Sequence, residues 1–375
     1  MRIAFLCKRQ YMGKDVIADR YARLYEIPSQ LARHGHTVYG FCLSYQGHDE
    51  GNWEHAAPGG KLVWESRSLG RAVLPRLMTY PALLLRRLRE FSPDLIIGAS
   101  DIPHVALAAW AARKLDTPYA VDLYDNFESF GQARIPGMVG ALRRAVRSAR
   151  LVTTTSEPLK DLVVEGYGAT GEVISMPSTV DKSIFRPLER MACRRALGLP
   201  EAGQLVGTAG GLHRDKGVDA LYGAWPVIAK QHPDAHLVLA GPFDSSFPPP
   251  KDPRIHYLGQ LPHARTAELF AALDVGVIYL RDTPFGRYCF PQKAYEMLAC
   301  ELPIVAARVG VMPHLLSGLP DSLYRPDDAD DLARAVSAQL AHPMLARVAI
   351  DDWAKVIGAV EPRLYALTTA PKGRA

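Results

Sequence analysis

Short, almost uninterrupted apolar runs alternate with amphipathic stretches along this chain, and that alternation limits the folds open to it. The runs expected as strands are Arg2–Cys7, Thr37–Leu43, Leu95–Gly98, Tyr119–Asp122, Leu151–Thr155, Val173–Met176, Leu205–Ala209, His236–Ala240, Ile255–Leu258, Val275–Tyr279 and Ile304–Ala307. Helical spacing fills the intervals, as in Asp15–Arg33, Val105–Leu115, Leu159–Gly166, Asp219–Gln231, Ala264–Leu273 and Asp330–Leu340. A strand apolar on both sides must be covered on both sides, so the pattern predicts α/β architecture with parallel sheets. At 375 residues the chain is long enough for two domains. The segment Met176–Pro187, bracketed by Pro177 and Pro187, is the best place to divide them. The expected division is 1–178, 179–350 and a closing segment 351–375. Within the last, Asp351–Tyr365 reads as a helix kinked at Pro362.

Ligands of open α/β sheets bind beyond the carboxyl ends of the strands. Two segments there carry chemistry. Val206-Gly-Thr-Ala-Gly-Gly-Leu-His-Arg-Asp-Lys-Gly-Val-Asp219 follows a strand and opens a helix. Gly207, Gly210 and Gly211 let the backbone approach a ligand, and Arg214 and Lys216 put positive charge where a diphosphate would lie. The loop is not a P-loop, because Gly217 follows Lys216, and no G-x-G-x-x-G opens the chain. The second segment is Phe290–Val305, where Lys293 and Glu296 are three apart and share one helix face. Two readings stay open. The carboxylate accepts both hydroxyls of a ribose while the helix start attracts phosphate, or the two form an exposed ion pair on a surface helix.

Composition narrows the partners. The five cysteines are scattered without metal spacing, which fits a reducing compartment, so a cytoplasmic location is expected. The Met1–Lys8 run is too short for a signal peptide, and no run approaches the roughly 18–20 apolar residues of a spanning helix. The net charge of +5 is unevenly spread. Arg67, Arg71, Arg76, Arg86, Arg87 and Arg89 lie in one acid-free stretch, and Arg134, Arg143, Arg144, Arg147 and Arg150 in another. Leucines, valines and methionines interleave with both sets. Such helices suit an anionic membrane surface or a phosphorylated ligand, or are simply solvated faces. Nucleic acid is not expected, since no stacking aromatics accompany these arginines.

Several segments, in order, resemble the retaining glycosyltransferases of family 4, whose GT-B fold is two Rossmann-like domains facing across a cleft. They are Leu31–Val38, Pro93–Ile97, Met176-Pro-Ser-Thr-Val-Asp181 with Phe185-Arg-Pro187, Gly207–Gly217, Leu239–Pro242, Ile255–Gln260, and the closing Trp353 and Tyr365. The resemblance implies that the first domain binds the acceptor, the second a nucleoside-diphosphate sugar, and that the last helix crosses back to the first domain. It implies that Glu296 holds the donor ribose, that Lys293 lies near the donor, and that Lys216, with Arg214 in support, meets the leaving diphosphate. Gly210 and Gly211 form the phosphate loop beside His213, and Gly13 is the glycine that approaches the donor from the first domain. The first Glu of the family's E-x7-E falls at Tyr288, and the glycine of its E-x-F-G at Pro291.

Where the family often has a histidine near the sugar, this chain has Asp122, which either accepts an acceptor hydroxyl or caps a turn. His104 is a second candidate, and His34 and His36 read as structural. The expected activity is metal-independent hexosyl transfer with retention, without a cofactor beyond the donor substrate. The acceptor is a glycan or lipid-linked hydroxyl of bacterial envelope synthesis, and the location peripheral on the inner membrane face. The rivals are a nucleotide-sugar 2-epimerase of the same fold and an inactive family member serving as a partner subunit.

Overall fold

The computed structural model describes residues 1–369. The chain forms two compact domains, Met1–Ser178 joined by the helix that begins at Trp353, and Thr179–Asp352. The first domain has strands β1 Arg2–Lys8, β2 Gln10–Tyr11, β3 Lys14–Asp15, β4 Thr37–Ser44, β5 Gly51–His55, β6 Lys61–Ser68, β7 Leu95–Ala99, β8 Tyr119–Leu123, β9 Leu151–Thr154 and β10 Glu172–Ser175. Its helices are α1 Ala22–Arg33, α2 Val73–Phe91, α3 Ile102–Leu115, α4 Met138–Ser148 and α5 Glu157–Asp161. The second domain has strands β11 Gln204–Ala209, β12 Ala235–Ala240, β13 Ile255–Tyr257, β14 Val275–Ile278, β15 Ile304–Ala307 and β16 Leu323–Tyr324. Its helices are α6 Arg190–Leu197, α7 Val218–Gln231, α8 His263–Ala272, α9 Pro284–Tyr288, α10 Gln292–Ala299, α11 Met312–Leu315 and α12 Ala329–Ala341. Helix α13, Trp353–Thr369, closes the chain.

The first sheet runs β10-β9-β8-β7-β1-β4-β6-β5, parallel except for the antiparallel edge strand β5. The second runs β13-β12-β11-β14-β15-β16 and is parallel throughout. In both, the chain leaves a central strand in one direction and returns on its other side. The switch points are β1/β7 and β11/β14, where a ligand crevice opens beyond the strand ends. Right-handed crossovers put α2, α3 and α4 on one face of the first sheet and α1 on the other. Helix α3 packs against both α2 and α4, and α13 packs on α1.

The apolar continuity of the runs is borne out in the strands: every residue of β7, β8, β9, β14 and β15 is buried. Trp64 anchors the first core, edge-on to Phe5 at 6.4 Å and stacked on Tyr25 at 6.3 Å. Trp353, Ile357, Val360 and Leu364 of α13 join the same core. His34 and His36 both meet Glu361 of that helix, at 2.6 and 2.8 Å, so these histidines tie the last helix to the first domain.

Two expectations change. The helix expected over Asp15–Arg33 begins only at Ala22. Before it, the antiparallel β2–β3 pair turns through Met12 and Gly13, both at positive φ, the geometry of a two-residue hairpin. The Asp15 carboxylate binds Arg9 and accepts from the Ile17 and Ala18 N–H groups, which holds the chain in a turn. Strands β5 and β6 were not legible because charged residues interrupt them. Glu65, in the middle of β6, is buried and bound by Arg87 at 2.9 Å from the helix above.

Candidate functional site

In the second domain the site forms at the β11/β14 switch point. After β11 the chain turns at Gly210, whose φ of +112° favours glycine. A Cβ there would stand 3.4 Å from the Lys293 Nζ, and a Cβ on Gly211 would lie 2.6 Å from the His213 ring and 3.2 Å from the Lys216 Nζ. The two glycines are thus ringed by a histidine and two lysines, with their backbone uncovered by side chains of their own. Gly217, at φ +98°, then starts α7. Tyr279, just past β14, closes the crevice floor: its hydroxyl donates to the Gly211 carbonyl at 2.9 Å and its ring lies 4.7 Å beneath the Lys293 ammonium. Lys293 and Glu296 sit on α10, whose start at Pro291 has no side-chain cap.

Burial and neighbouring charges set the electrostatics of this turn. Burial, and then the charge of Lys216, lowers the Lys293 pKa to about 8. Burial raises the Glu296 carboxyl to about 7, against the pull of Lys293 and the Gln292 amide, which donates at 3.3 Å. The fold therefore holds two like charges together beside a glycine turn, at a cost that a bound diphosphate would relieve. The exposed-pair reading of Lys293 and Glu296 is set aside, since Glu296 is buried.

Arg214 is placed differently. Its exposed guanidinium lies 5.3 Å over the Phe247 ring and 3.9 Å from Asp219. Arg281 braces the loop instead, donating from Nε to the Arg214 carbonyl and from its two terminal nitrogens to Asp327 and Asp219. Tyr279 and Arg281 escaped the sequence reading because each acts at residues about 65 positions away in the chain. Only their place after an apolar strand was a signal.

In the first domain Gly13 occupies the β2–β3 hairpin tip, with open space around a would-be Cβ. Asp122 is not free to receive a hydroxyl. Its carboxylate takes Arg23 on both oxygens, at 2.6 to 3.0 Å, and the Thr153 hydroxyl at 2.6 Å, all fully buried. It neither caps a turn nor faces a ligand; it neutralises a buried guanidinium, which also donates to the Met176 carbonyl.

A polar cluster at the β1/β7 switch point brings together residues far apart in sequence. Lys8 ends β1 and reaches the Tyr124 hydroxyl at 3.2 Å, while its N–H donates to Ser100, held at φ +80°. Burial lowers the Lys8 pKa. Asp125, three residues past Asp122, is buried, and burial raises its pKa to about 7 against the N–H of Asn126 and the charge of Lys8. His104 lies 2.5 Å from Asp101, which also takes Tyr45 at 2.9 Å. Burial of Asp101 is outweighed by His104 and Lys8, so its carboxyl falls to about 2. The His104 Nε2 is buried with no hydrogen-bond partner among the described residues. Lys8 and Asp125 drew no reading from the sequence because attention fell on Asp122, the strand residue; Asp125 lies three residues further on, and only packing shows that it is buried.

Residues 22–177 match the family described as glycosyl transferase 4-like domain, and residues 203–342 the one described as glycosyl transferases group 1. The chain is a family 4 glycosyltransferase. Among curated relatives of this glycosyltransferase is the D-inositol 3-phosphate glycosyltransferase of Mycolicibacterium gilvum, 26% identical over 68% of this chain and 61% of the relative. Another is the putative teichuronic acid biosynthesis glycosyltransferase TuaC of Bacillus subtilis, 26% identical over 76% of this chain and 69% of its own. The chain thus spans about three fifths of the first of these. Among solved structures, sucrose-phosphate synthase of Thermosynechococcus elongatus superposes with a TM-score of 0.69 at 20% identity, covering 98% of this chain and 97% of that one. Anabaena HepE in complex with UDP-glucose superposes at 0.66 and 18% identity, with the same coverage. These likenesses establish the GT-B fold for the glycosyltransferase.

Proposed function

We propose that this glycosyltransferase moves a hexose from a nucleoside-diphosphate sugar to an acceptor hydroxyl with retained anomeric configuration. The observation that carries the reading is the pair of lysines, Lys216 and Lys293, held around the Gly210–Gly211 turn at the β11/β14 switch point. In the reaction the bond from the anomeric carbon to the diphosphate breaks as the acceptor oxygen bonds to the same face. The acceptor proton passes to the departing diphosphate oxygen. Lys216, Lys293 and the loop amides stabilise the charge that grows on that oxygen, so these cations supply what a metal ion supplies elsewhere. Glu296, as carboxylate, holds the ribose hydroxyls.

The first domain takes the acceptor. Support comes from the Lys8, Asp125 and His104 cluster at the ends of the central strands, where the His104 Nε2 is buried with no hydrogen-bond partner among the described residues. The acceptor is anionic or membrane-anchored, in keeping with the arginines of α2 and α4 and with the teichuronic acid biosynthesis in the name of the relative TuaC. No described helix is long and apolar enough to cross a membrane.

Titrating UDP-, GDP- and ADP-sugars against thermal unfolding tests the donor half. UDP-glucose comes first, because the similarly folded HepE is seen with it. A donor that raises Tm in the wild type but not in Lys293→Met supports the reading. No shift with any of the three, or an equal shift in both proteins, overturns it.

A further inference from the structure

Tyr279 is buried immediately past β14 and takes no part in the mechanism proposed above. It makes two contacts of different kinds at the Gly210–Gly211 turn, one through its hydroxyl and one through its ring. The hydroxyl acts on the backbone. The peptide between Gly211 and Leu212 is pinned at both ends, its carbonyl by the Tyr279 hydroxyl at 2.9 Å and its N–H by the Pro242 carbonyl at 2.8 Å. The peptide that enters Gly210 is held through its N–H, which donates to the Ala240 carbonyl at 3.0 Å. Between these two fixed peptides, the Gly211 N–H has no acceptor among the described residues. A carbonyl turned toward a diphosphate repels it, and an unpaired N–H attracts it. The tyrosine thus engages the oxygen and leaves the N–H open.

The ring acts on charge. The Lys293 ammonium feels Lys216 from the loop after β11, Cys289 at the end of α9 and Glu296 on its own helix. Burial and Lys216 disfavour its charged form, while Glu296 and Cys289 favour it. The negative face of the Tyr279 ring, 4.7 Å from the ammonium, adds to the favourable side. We propose that Tyr279 is a positioning residue for the departing diphosphate. Its ring keeps Lys293 charged beside the Gly210–Gly211 turn, and its hydroxyl holds the Gly211 carbonyl so that the Gly211 N–H joins the two lysines as a donor. This rests on the donor half of the proposed function and assigns the tyrosine two separable roles in it.

The test uses the full chain, UDP-glucose as probe, and two variants that separate the contacts. Tyr279→Phe keeps the ring and loses the hydroxyl; Tyr279→Leu loses both. Lysine side-chain NMR follows the titration of Lys293 in the ligand-free protein, with Lys293→Met identifying its signal. Loss of the cation–π contact should move that titration down by about half to one and a half pH units in Tyr279→Leu and leave it in place in Tyr279→Phe. The alkaline limb of UDP-glucose affinity should move down with it, because a lysine without the ring gives up its proton at lower pH. Tyr279→Phe should weaken UDP-glucose binding about three- to tenfold at every pH, the effect of one lost hydrogen bond, without moving the limb. Fluorinated phenylalanines at position 279 keep the shape of the ring and withdraw charge from its face. They should lower the Lys293 titration in step with fluorine number, and they decide the ring contact should the leucine variant not fold. A lowered Tm in these variants with an unmoved Lys293 titration shows a merely structural tyrosine and overturns the proposal. Wild-type affinity in Tyr279→Phe overturns the role of the hydroxyl. Equal UDP-glucose binding by the wild type and Lys293→Met overturns the donor reading instead, while a Lys293 titration that follows the ring still upholds that contact.

Discussion

Glu296 combines burial, a raised pKa and a neighbouring lysine, and each has a measurable consequence. Losing the charge-assisted hydrogen bonds to a ribose costs roughly 1.5–3 kcal/mol, so Glu296→Ala should weaken donor binding about 10–150-fold by calorimetry. Wild-type affinity in that variant would remove the residue from the site. The competent form needs Glu296 ionised and Lys293 protonated. With values of about 7 and about 8, donor affinity in the wild type should peak between these pH values. Glu296→Gln should abolish the acidic limb. The same carboxyl should cost stability. Its folded pKa lies above the unfolded one, so it is neutral in both states below about pH 4, and the penalty is complete above about pH 7. At about 1.4 kcal/mol per step of pKa, the penalty is roughly 3 kcal/mol. Glu296→Gln should therefore raise Tm at pH 8 and not at pH 4; an equal change at both would refute the linkage. Asp122 behaves in the opposite way. Removing it strands Arg23 in the core, a loss of about 3–5 kcal/mol. Asp122→Ala should thus be detected as a lowered Tm, and the paired change Arg23→Met/Asp122→Leu should recover most of it.

At the scale of elements, the closing helix α13 belongs to the first domain because its buried stripe, Trp353, Ile357, Val360 and Leu364, completes that domain's core. Ile357→Ala removes apolar contacts from a side chain that is only 1% exposed, and about 2–5 kcal/mol is expected from denaturant titration. A change under about 0.5 kcal/mol would mean that the helix is merely laid on the surface. Glu361, bridging His34 and His36, adds direction rather than much energy, since it is part-exposed. The Gly210–Lys216 loop is held by the same logic of distant bracing. Tyr279 ties Gly211 and Arg281 ties Arg214, so the loop proposed to meet the diphosphate is fixed from the far side of the sheet switch.

Across the whole molecule, the division of labour proposed for the two domains predicts separable kinetics. Asp125→Ala, in the first domain, should raise the acceptor KM and leave the donor Kd unchanged. Glu296→Ala should do the reverse. Steady-state kinetics with each substrate varied in turn, beside donor calorimetry, decide this. Coupled effects from both variants would place the two residues in one shared subsite and end the division.

What the sequence determined by itself was whatever is written locally. Apolar continuity along runs such as Leu95–Gly98 and Val275–Tyr279 implies strands buried on both faces, and so parallel sheets, whichever partners they take. Glycines 210 and 211 between a strand and a helix mark a tight turn, and Lys293 with Glu296 share a face because a helix has 3.6 residues per turn. Which side chains end up beside that turn was decided only by the tertiary structure. Asp122 looked like a site residue until Arg23, 99 positions away, was seen to occupy it. Asp125 drew no reading from the sequence, and it is burial among packed neighbours that raises its pKa. Arg143 looked like the other arginines of its stretch, although among the described residues it alone of them meets a carboxylate, Glu128. Pairing and desolvation are properties of the packed neighbourhood, assembled from segments far apart in the chain, and no local period in the sequence carries them.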